Sequence, residues 1–194
     1  MKMTHMEKIV FLDRDGVIIK EKNLISKVSE VELLPNSAEA IKLLNESGYK
    51  VIVVTNQPIV ARGLSTVENV ENMNKYMEKL IVETSGAHVD KIYFCPHHPT
   101  KGIVPEYSIE CDCRKPKPGM LLQAKKDFGL VNLNDAWMVG DTIGDSKTGD
   151  NVGCKTILVS TGHSGNDGFD DSVPMYKAKD LYDAVVNVIL KEDK

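Results

Sequence analysis

Long apolar runs are missing from this chain of 194 residues, and arginine, cysteine and aromatic residues are sparse. No apolar stretch approaches the ~20 residues that a membrane-spanning helix requires, so no membrane partner is expected. Residues 1–8 are polar and lack the apolar core of a signal peptide, which predicts a cytoplasmic location. With a net charge of −4, the chain also lacks the basic excess typical of proteins that bind nucleic acids.

Arginine is the scarcest of the common charged residues. Only Arg14, Arg62 and Arg114 stand beside 21 lysines. The planar guanidinium group suits phosphate oxygens, whereas lysine is the commoner surface cation. Each arginine lies in one of the motifs described below, which suggests a shared function, and chance placement of three residues is the alternative.

Short apolar runs alternate with amphipathic segments along the chain. The runs predict five buried strands, at residues 9–12, 51–54, 91–94, 136–139 and 156–159. The amphipathic segments, with signals such as the Ser65–Glu68 capping box, predict helices over about 35–47, 65–86, 119–128 and 180–190. This alternation predicts an α/β fold, a Rossmann-like doubly wound parallel sheet. Residues 1–194 contain no repeat or long linker, so we expect a single domain without a large cap domain.

Polar residues follow three of the predicted strands. Asp13 and Asp15 come directly after the first, Thr55 after the second and Asp141 after the fourth. Because the carboxyl ends of parallel strands open onto one edge of a sheet, we expect these side chains to meet there. Lys115, just before a predicted helix, adds a cation. For the first pair alone an ordinary surface turn is the alternative, since Asp and Gly are common turn residues.

This set of residue types predicts phosphoryl transfer. Asp13 would attack phosphorus as a carboxylate nucleophile. Asp15 would protonate the leaving oxygen and then activate water for the second step. Thr55 and Lys115 would hold the phosphoryl oxygens.

A divalent cation is expected at the same edge of the sheet. Asp13 and Asp141, together with the carbonyl oxygen of Asp15, offer hard oxygen ligands of the kind that Mg²⁺ prefers. The cation would screen the carboxylates from phosphate and neutralise charge that develops during transfer. Mg²⁺ is therefore the predicted catalytic cofactor.

Three of the four cysteines lie in two short segments. Cys95-x-His97 and Cys111-x-Cys113 supply one nitrogen and three sulfur ligands, a closed tetrahedral set typical of structural Zn²⁺. On these grounds alone, His98 is an alternative to His97. Disulfides are disfavoured in a cytoplasmic chain, and buried free thiols would leave the pairing with histidine unexplained.

Two cations directly follow the second cysteine segment. Bound zinc would fix the loop that presents Arg114 and Lys115 to a substrate. Arg62 is either a second phosphate contact or a surface charge, and the same two interpretations hold for Lys117.

Taken together, the motifs resemble those of the haloacid dehalogenase (HAD) superfamily of phosphatases. They are, in chain order, Asp13-Arg14-Asp15-Gly16, Thr55-Asn56-Gln57, Lys115-Pro116 and Gly140-Asp141. Within the superfamily, the chain is most similar to the family of D-glycero-D-manno-heptose 1,7-bisphosphate phosphatases and histidinol-phosphate phosphatases. The further motifs that carry this similarity are Ala61-Arg62-Gly63 and residues 95–99 and 111–119.

The resemblance implies the roles given above and His97, rather than His98, as the zinc ligand. It implies a Mg²⁺-dependent phosphatase of a small sugar phosphate, acting as a monomer, with heptose 1,7-bisphosphate as the first candidate and histidinol phosphate as the alternative. The residues expected to contact substrate are Arg14, Asn56, Gln57, Arg62, Arg114 and Lys115. Residues 21–24 depart from the pattern, because relatives carry an Asp-His-Gly-Tyr-like segment there that grips the sugar.

Two other classes of protein share parts of this pattern. A phospho-accepting receiver module also combines an aspartate at a strand end with a threonine and a Lys-Pro pair. Asp15 argues against that class, since an acid/base beside the nucleophile promotes hydrolysis of the acyl phosphate. The predicted zinc loop also argues against it, because receiver modules lack such a loop. A zinc-stabilised binding scaffold without activity would not require the complete set of carboxylates, Thr55 and Lys115.

Overall fold

The computed structural model describes residues 7–193, so most of the N-terminal segment assessed above lies outside the described residues. Residues 7–193 form six strands: β1 (Lys8–Leu12), β2 (Tyr49–Asn56), β3 (Lys91–Cys95), β4 (Trp137–Gly140), β5 (Lys155–Val159) and β6 (Tyr176–Ala178). Residues 9–12 are at most 1% exposed. A continuous apolar run is stable there because the strand is covered on both faces.

Helices connect the strands. They are α1 (Ser37–Glu46), α2 (Val67–Ser85), α3 (Gly119–Asp127), α4 (Ile143–Asp150), α5 (Leu181–Ala184) and α6 (Leu190–Glu192). A π-helical turn (Val185–Ile189) joins the last two, and a 3₁₀ turn (Val28–Glu30) lies in the loop after β1. Among residues 7–193, no helix has the length and apolar character needed to cross a membrane.

All strands pair in parallel, in the order β3-β2-β1-β4-β5-β6. The predicted doubly wound parallel sheet is therefore confirmed, with β1 at the point where the strand order reverses. In such sheets the crevice at the switch point binds ligands. Leu12 pairs with Val53 on one side and Val139 on the other, so the residues that follow all three strands meet at one edge.

The alternating side chains of β1 separate two apolar cores. Val10 and Leu12 belong to the larger core, which α1, α2 and the C-terminal helical stretch cover. Ile9 and Phe11 face the smaller core, where α3 packs. Burial of β1 in both cores holds its carboxyl end rigidly, which is what a site with fixed side-chain geometry requires.

The structure differs from the sequence prediction in several details, which include α4 (Ile143–Asp150), a helix absent from the predicted set. Helix α2 is capped by Thr66, whose side chain accepts a hydrogen bond from the backbone N of Asn69, rather than by Ser65. Strand β6 was not predicted, because three residues carry no readable alternation of apolar and polar side chains. The predicted C-terminal helix contains a π-helical turn at its centre. None of these differences alters the edge of the sheet that follows β1, β2 and β4.

Candidate active site

A cleft of about 800 Å³ opens at the carboxyl edge of the sheet. Residues at the carboxyl ends of β1, β2 and β4 line it, namely Asp13, Thr55 and Asp141, and Lys115 lines it as well. The structure thus places these four residues at one edge of the sheet. The loop over residues 18–32 contributes Glu21 and its neighbours to one wall of the cleft.

Asp13 is held by one of its two carboxylate oxygens. Its Oδ1 accepts a hydrogen bond from the backbone N of Arg14 at 2.7 Å and lies 2.9 Å from Lys115 Nζ. Among residues 7–193, no donor is within hydrogen-bonding distance of Oδ2, which leaves that oxygen unpaired. The carboxylate therefore has a fixed orientation and one oxygen free to react.

Lys115 is buried beneath the carboxylates. Its Nζ donates to the carbonyl oxygen of Val54 at 2.9 Å and lies 2.6 Å from Asp145 Oδ1. Asn56 fixes the backbone on both sides of Lys115, since its side chain accepts from Lys115 N at 3.0 Å and donates to Lys115 O at 3.1 Å. Burial lowers the pKa of Lys115, but Asp13 and Asp145 outweigh burial, so the net pKa lies above its ordinary value.

Asp15 sits among donors at the side of the cleft. Its Oδ2 accepts from Gln57 Nε2 at 2.8 Å and from Arg14 Nε at 3.0 Å, and Thr55 Oγ1 is 3.4 Å away. Gln57 also donates to Thr55 Oγ1 at 3.0 Å. These contacts fix Asp15 beside Thr55, within the same cleft as Asp13.

Three buried carboxylates form a compact acidic cluster. Oxygen atoms of Asp13, Asp141 and Asp145 all lie within 4.8 Å of one another. Asp145 is held at the start of α4, where its Oδ2 accepts from Thr142 N at 3.1 Å and from Thr142 Oγ1 at 2.5 Å. The Asp15 carboxylate stands outside this cluster and pairs with Arg14.

The electrostatics of the cluster call for a further cation. Three carboxylates face one ammonium, that of Lys115, so negative charge is in excess. Burial raises the pKa of the Asp13 carboxyl well above its ordinary value, opposed by Lys115 and aided by Asp145. Burial, with Asp145 adding to it, raises the pKa of Asp141 to about 7. Hard oxygen donors with excess negative charge fit Mg²⁺ chemically.

Two glycines let the backbone approach Asp141 closely. Gly16 and Gly162 both have positive φ, 80° and 61°, and a Cβ atom on either would overlap Asp141 Oδ2. The next residue, His163, donates its backbone N–H to the same oxygen at 2.6 Å. Only glycine combines this left-handed conformation with the absence of a side chain, so both positions protect the geometry of Asp141.

The predicted zinc ligands meet in space. Cys95, His97, Cys111 and Cys113 place their ligand atoms within 4.8 Å of one another, with Cys111 Sγ 3.5 Å from Cys95 Sγ and 3.4 Å from Cys113 Sγ. All three cysteines are free thiols, which excludes the disulfide alternative. Hydrogen bonding, chiefly with Cys95, lowers the pKa of Cys113 to about 5. The cluster could hold a metal ion with three sulfur ligands and one nitrogen ligand.

Arginines line the outer part of the cleft. Arg114 donates to the carbonyl oxygen of His97 at 3.2 Å, so the cysteine–histidine cluster positions it directly. Burial lowers the pKa of Arg114, and Arg62 adds to this effect. Arg62 Nε is buried and has no hydrogen-bond partner among residues 7–193. Two neighbouring cations, one of them incompletely paired, suit an anionic ligand.

Comparison with known proteins agrees with this geometry. The HAD-hydrolase-like family model matches residues 112–184. The D-glycero-D-manno-heptose-1,7-bisphosphate 7-phosphatase of Chlorobaculum tepidum is 37% identical over 190 residues, which cover 94% of this chain and 94% of the relative. The chain belongs to the D-glycero-D-manno-heptose 1,7-bisphosphate phosphatase family.

Other members of this phosphatase family support the same conclusion. The D-glycero-beta-D-manno-heptose-1,7-bisphosphate 7-phosphatase of Pseudomonas aeruginosa is 41% identical over 155 residues, 79% of this chain and 82% of the relative. The crystal structure of D,D-heptose 1,7-bisphosphate phosphatase from B. bronchiseptica, complexed with magnesium and phosphate, has a TM-score of 0.81 at 29% identity. The structural alignment covers 95% of this chain and 99% of the B. bronchiseptica chain. These relatives are phosphoric monoester hydrolases.

Some predicted site residues of this family member lie elsewhere than expected. Arg14 is 1% exposed and contacts Asp15 and Asn74, so its side chain stands behind the cleft rather than in position to touch substrate. Asn56 and Gln57 line the cleft, but the Asn56 side chain bonds the backbone of Lys115, and the Gln57 side chain bonds Asp15 and Thr55.

Sequence reasoning also left out residues that the structure brings to the site. Asp145 completes the acidic cluster, and its only sequence signal is a second aspartate one helical turn after Asp141. The loop over 160–169 supplies His163 and Asp167, which line the cleft, and His163 Nε2 lies 3.9 Å from Glu21 Oε2. Nothing in the composition of that glycine-rich loop marks these two residues as part of a site in this phosphatase family.

Proposed function

We propose that the chain is a Mg²⁺-dependent phosphatase that removes the 7-phosphate of D-glycero-D-manno-heptose 1,7-bisphosphate through an aspartyl-phosphate intermediate. The observation that carries the proposal is the arrangement of Asp13, whose Oδ1 lies 2.9 Å from Lys115 Nζ and whose carboxylate stands beside two further buried carboxylates. Membership of the heptose bisphosphate phosphatase family supports the choice of substrate.

The first half of the reaction uses Asp13 and Asp15. Asp13 Oδ2 attacks phosphorus, and the bond between phosphorus and the sugar oxygen breaks. The proton on Asp15 passes to that departing oxygen. Lys115 keeps Asp13 oriented through Oδ1, while Thr55 donates its hydroxyl to a phosphoryl oxygen.

The second half of the reaction hydrolyses the aspartyl phosphate and regenerates the enzyme. Asp15, now a carboxylate, takes a proton from water as the water oxygen attacks phosphorus. The bond between phosphorus and Asp13 breaks, and inorganic phosphate leaves. Asp15 thus ends the cycle protonated, as it began, and no external co-reactant besides water is consumed.

Mg²⁺ would be held by Asp13, Asp141 and the carbonyl oxygen of Asp15, with Asp145 beside them. When bound, it neutralises charge on the phosphoryl group and on the carboxylates. The buried, oxygen-only donor set and its excess negative charge are what fit this ion.

Replacing Gly162 by Ala tests this metal site. The added methyl group would displace Asp141 Oδ2, so we expect Mg²⁺ affinity to fall about 10- to 100-fold, as for the loss of a supporting contact. Isothermal titration with Mg²⁺ measures the effect. Gly129→Ala is the matched control, because Gly129 also has positive φ, 65°, but no atom within 4 Å of the added Cβ. Equal affinities in both variants would contradict the assignment of Asp141.

Arg62 and Arg114 hold the second phosphate of the bisphosphate in this proposal. Both line the cleft, and their two guanidinium groups place positive charge where a second phosphate would lie. A bisphosphate would then span the cleft, with the reacting phosphate at Asp13 and the other at the arginines. The cysteine–histidine cluster supports this by fixing Arg114 through His97 O.

Steady-state kinetics with matched substrates tests the proposed function. Wild type should hydrolyse heptose 1,7-bisphosphate with higher kcat/KM than heptose 7-phosphate or histidinol phosphate. Arg62→Ala should raise KM for the bisphosphate about tenfold, the loss of one charge-assisted hydrogen bond, and leave KM for heptose 7-phosphate unchanged. Lys75→Ala, which removes an exposed cation on α2, should alter neither. A higher kcat/KM for histidinol phosphate than for heptose 1,7-bisphosphate would contradict the assignment of the sugar bisphosphate as the substrate.

We further propose that Cys95, His97, Cys111 and Cys113 bind one structural Zn²⁺. Cys113→Ala should lose the ion and lower Tm by roughly 10 °C, because bound zinc contributes directly to folding free energy. Zinc content is measured by mass spectrometry of the purified protein, and Tm by calorimetry. Cys154→Ala is the control, since Cys154 is a buried thiol outside the cluster. Zinc-free wild type, or equal zinc contents in the two variants, would contradict the proposal.

A further inference from the structure

A buried contact links the active-site loop to helix α2. Arg14 Nη1 donates to Asn74 Oδ1 at 2.9 Å, and the two residues are 1% and 5% exposed. Arg14 also donates two hydrogen bonds to Asp15, from Nε to Oδ2 at 3.0 Å and from Nη2 to Oδ1 at 3.1 Å. The guanidinium group is therefore fixed between α2 and the Asp15 carboxylate.

The two oxygens of Asp15 have different surroundings. Oδ2 is close to Gln57 Nε2, Arg14 Nε and Thr55 Oγ1, at 2.8, 3.0 and 3.4 Å. Within the described part of the chain, Oδ1 accepts only from Arg14 Nη2, which also lies 3.0 Å from Oδ2. The Asp15 side chain keeps 19% of its surface exposed and lines the cleft. Oδ1 is thus the oxygen with room for a further partner.

We propose that Asn74, acting through Arg14, is a positioning residue that holds Asp15 with Oδ1 toward the oxygen of the leaving alcohol. The inference rests on the proposed phosphatase function and adds which oxygen carries the proton and what aims it. In the first step the proton on Oδ1 passes to the departing alcohol oxygen as its bond to phosphorus breaks. In the second step the same oxygen receives a proton from the attacking water.

The chemistry of Arg14 and Asn74 suits this role. A guanidinium with two donors on one carboxylate fixes the plane of that carboxylate as well as its distance, which a lysine could not do. Rotation of the Arg14 side chain would misalign the Asp15 carboxylate. The amide oxygen of Asn74 prevents this rotation, because it accepts a hydrogen bond from the remaining guanidinium nitrogen, Nη1. With its nitrogens committed to Asp15 and Asn74 and its side chain buried, Arg14 is not available to a substrate.

A series of substrates with different leaving groups tests the inference. Alcohols that leave readily, such as p-nitrophenol, need little protonation, whereas sugar alcohols need a proton from Asp15. Asn74→Leu keeps the size of the side chain but removes its oxygen. We expect its kcat/KM for the sugar phosphate to fall about 30-fold, within the range for a misaligned catalytic group, and that for p-nitrophenyl phosphate to fall less than about threefold.

The slope of log kcat/KM against the acidity of the leaving alcohol should accordingly be steeper in Asn74→Leu than in wild type. This slope is measured within one preparation, so it does not depend on the fraction of protein that folds. Asn74→Asp retains an acceptor for Arg14 and should restore the wild-type slope. Met77→Leu, at a buried position one turn further along α2, should leave it unchanged.

Two results would overturn the inference. If Asn74→Leu lowers kcat/KM for all substrates by one common factor, the contact merely supports the fold. If it leaves all rates unchanged, Asp15 is aligned without Asn74. A wild type that hydrolyses neither substrate class would instead overturn the proposed function, so the two failures are distinguishable.

Discussion

Asp13→Asn is expected to abolish phosphate release, lowering kcat by at least roughly 10⁴-fold, because an amide oxygen cannot replace a carboxylate as nucleophile. The substitution is isosteric, and Asn can still accept the hydrogen bond from the backbone N of Arg14. KM should change little, since the variant retains Thr55 and Lys115, the residues that we propose contact the phosphoryl group. Phosphate release under saturating substrate and Mg²⁺ measures the effect.

Unfolding cannot account for such a loss in this variant. Asn at position 13 removes one of three buried carboxylates, so we expect the metal-free variant to unfold at a urea concentration no lower than wild type. Asp135→Asn is the control for the chemical change itself, because Asp135 is exposed and precedes β4 at the opposite edge of the sheet. A kcat within tenfold of wild type for Asp13→Asn would remove Asp13 from the mechanism.

Lys115→Met is expected to have the second largest effect, because one side chain serves both catalysis and stability. Lys115 is 7% exposed and pairs with Asp13 and Asp145 at 2.9 and 2.6 Å. Without the ammonium, those carboxylates stay buried and uncompensated, which costs about 3 kcal/mol of the free energy of unfolding. The orientation of Asp13 and a contact to phosphate are lost as well, so kcat should fall about 10³-fold.

The stability loss should depend on magnesium. A cation bound at the acidic cluster would replace part of the missing charge, so Mg²⁺ should stabilise Lys115→Met more than it stabilises wild type. Urea unfolding with Mg²⁺ and with EDTA gives both values. Lys126→Met, an exposed position on α3, controls for the loss of a lysine. An unchanged free energy of unfolding in EDTA would show that Lys115 does not balance the carboxylates.

The catalytic edge of the sheet could be predicted because local sequence carries it. Apolar runs end directly in Asp13, Thr55 and Asp141, and parallel pairing brings strand ends together irrespective of the rest of the fold. The cluster of Cys95, His97, Cys111 and Cys113 could be predicted for a similar reason. Short spacings bring Cys95 near His97, and only one further contact between the two segments is needed.

Contacts between distant residues could not be predicted in this way. Asn74 follows Arg14 by 60 positions and lies on α2 among apolar residues that fill the core, so its partner is invisible in the sequence. An arginine in a phosphate-binding motif suggests a substrate contact, yet the carboxylate of Asp15 and the buried amide of Asn74 bind the Arg14 side chain. Asp145 was obscured because α4 is rich in Gly, Ser and Thr, which have low helix propensity.

The most direct test of the mechanism is to identify the residue that carries the phosphoryl group. Asp15→Asn should accept phosphate from p-nitrophenyl phosphate, whose leaving group needs no acid, but should hydrolyse the acyl phosphate slowly. Quenching this variant during turnover and reducing it with borohydride converts a phosphorylated aspartate to homoserine, which peptide mass spectrometry locates. The account predicts homoserine at position 13 and its absence when Asp13→Asn is combined with Asp15→Asn. Homoserine at another aspartate, or phosphate release with no reducible intermediate, would contradict the account.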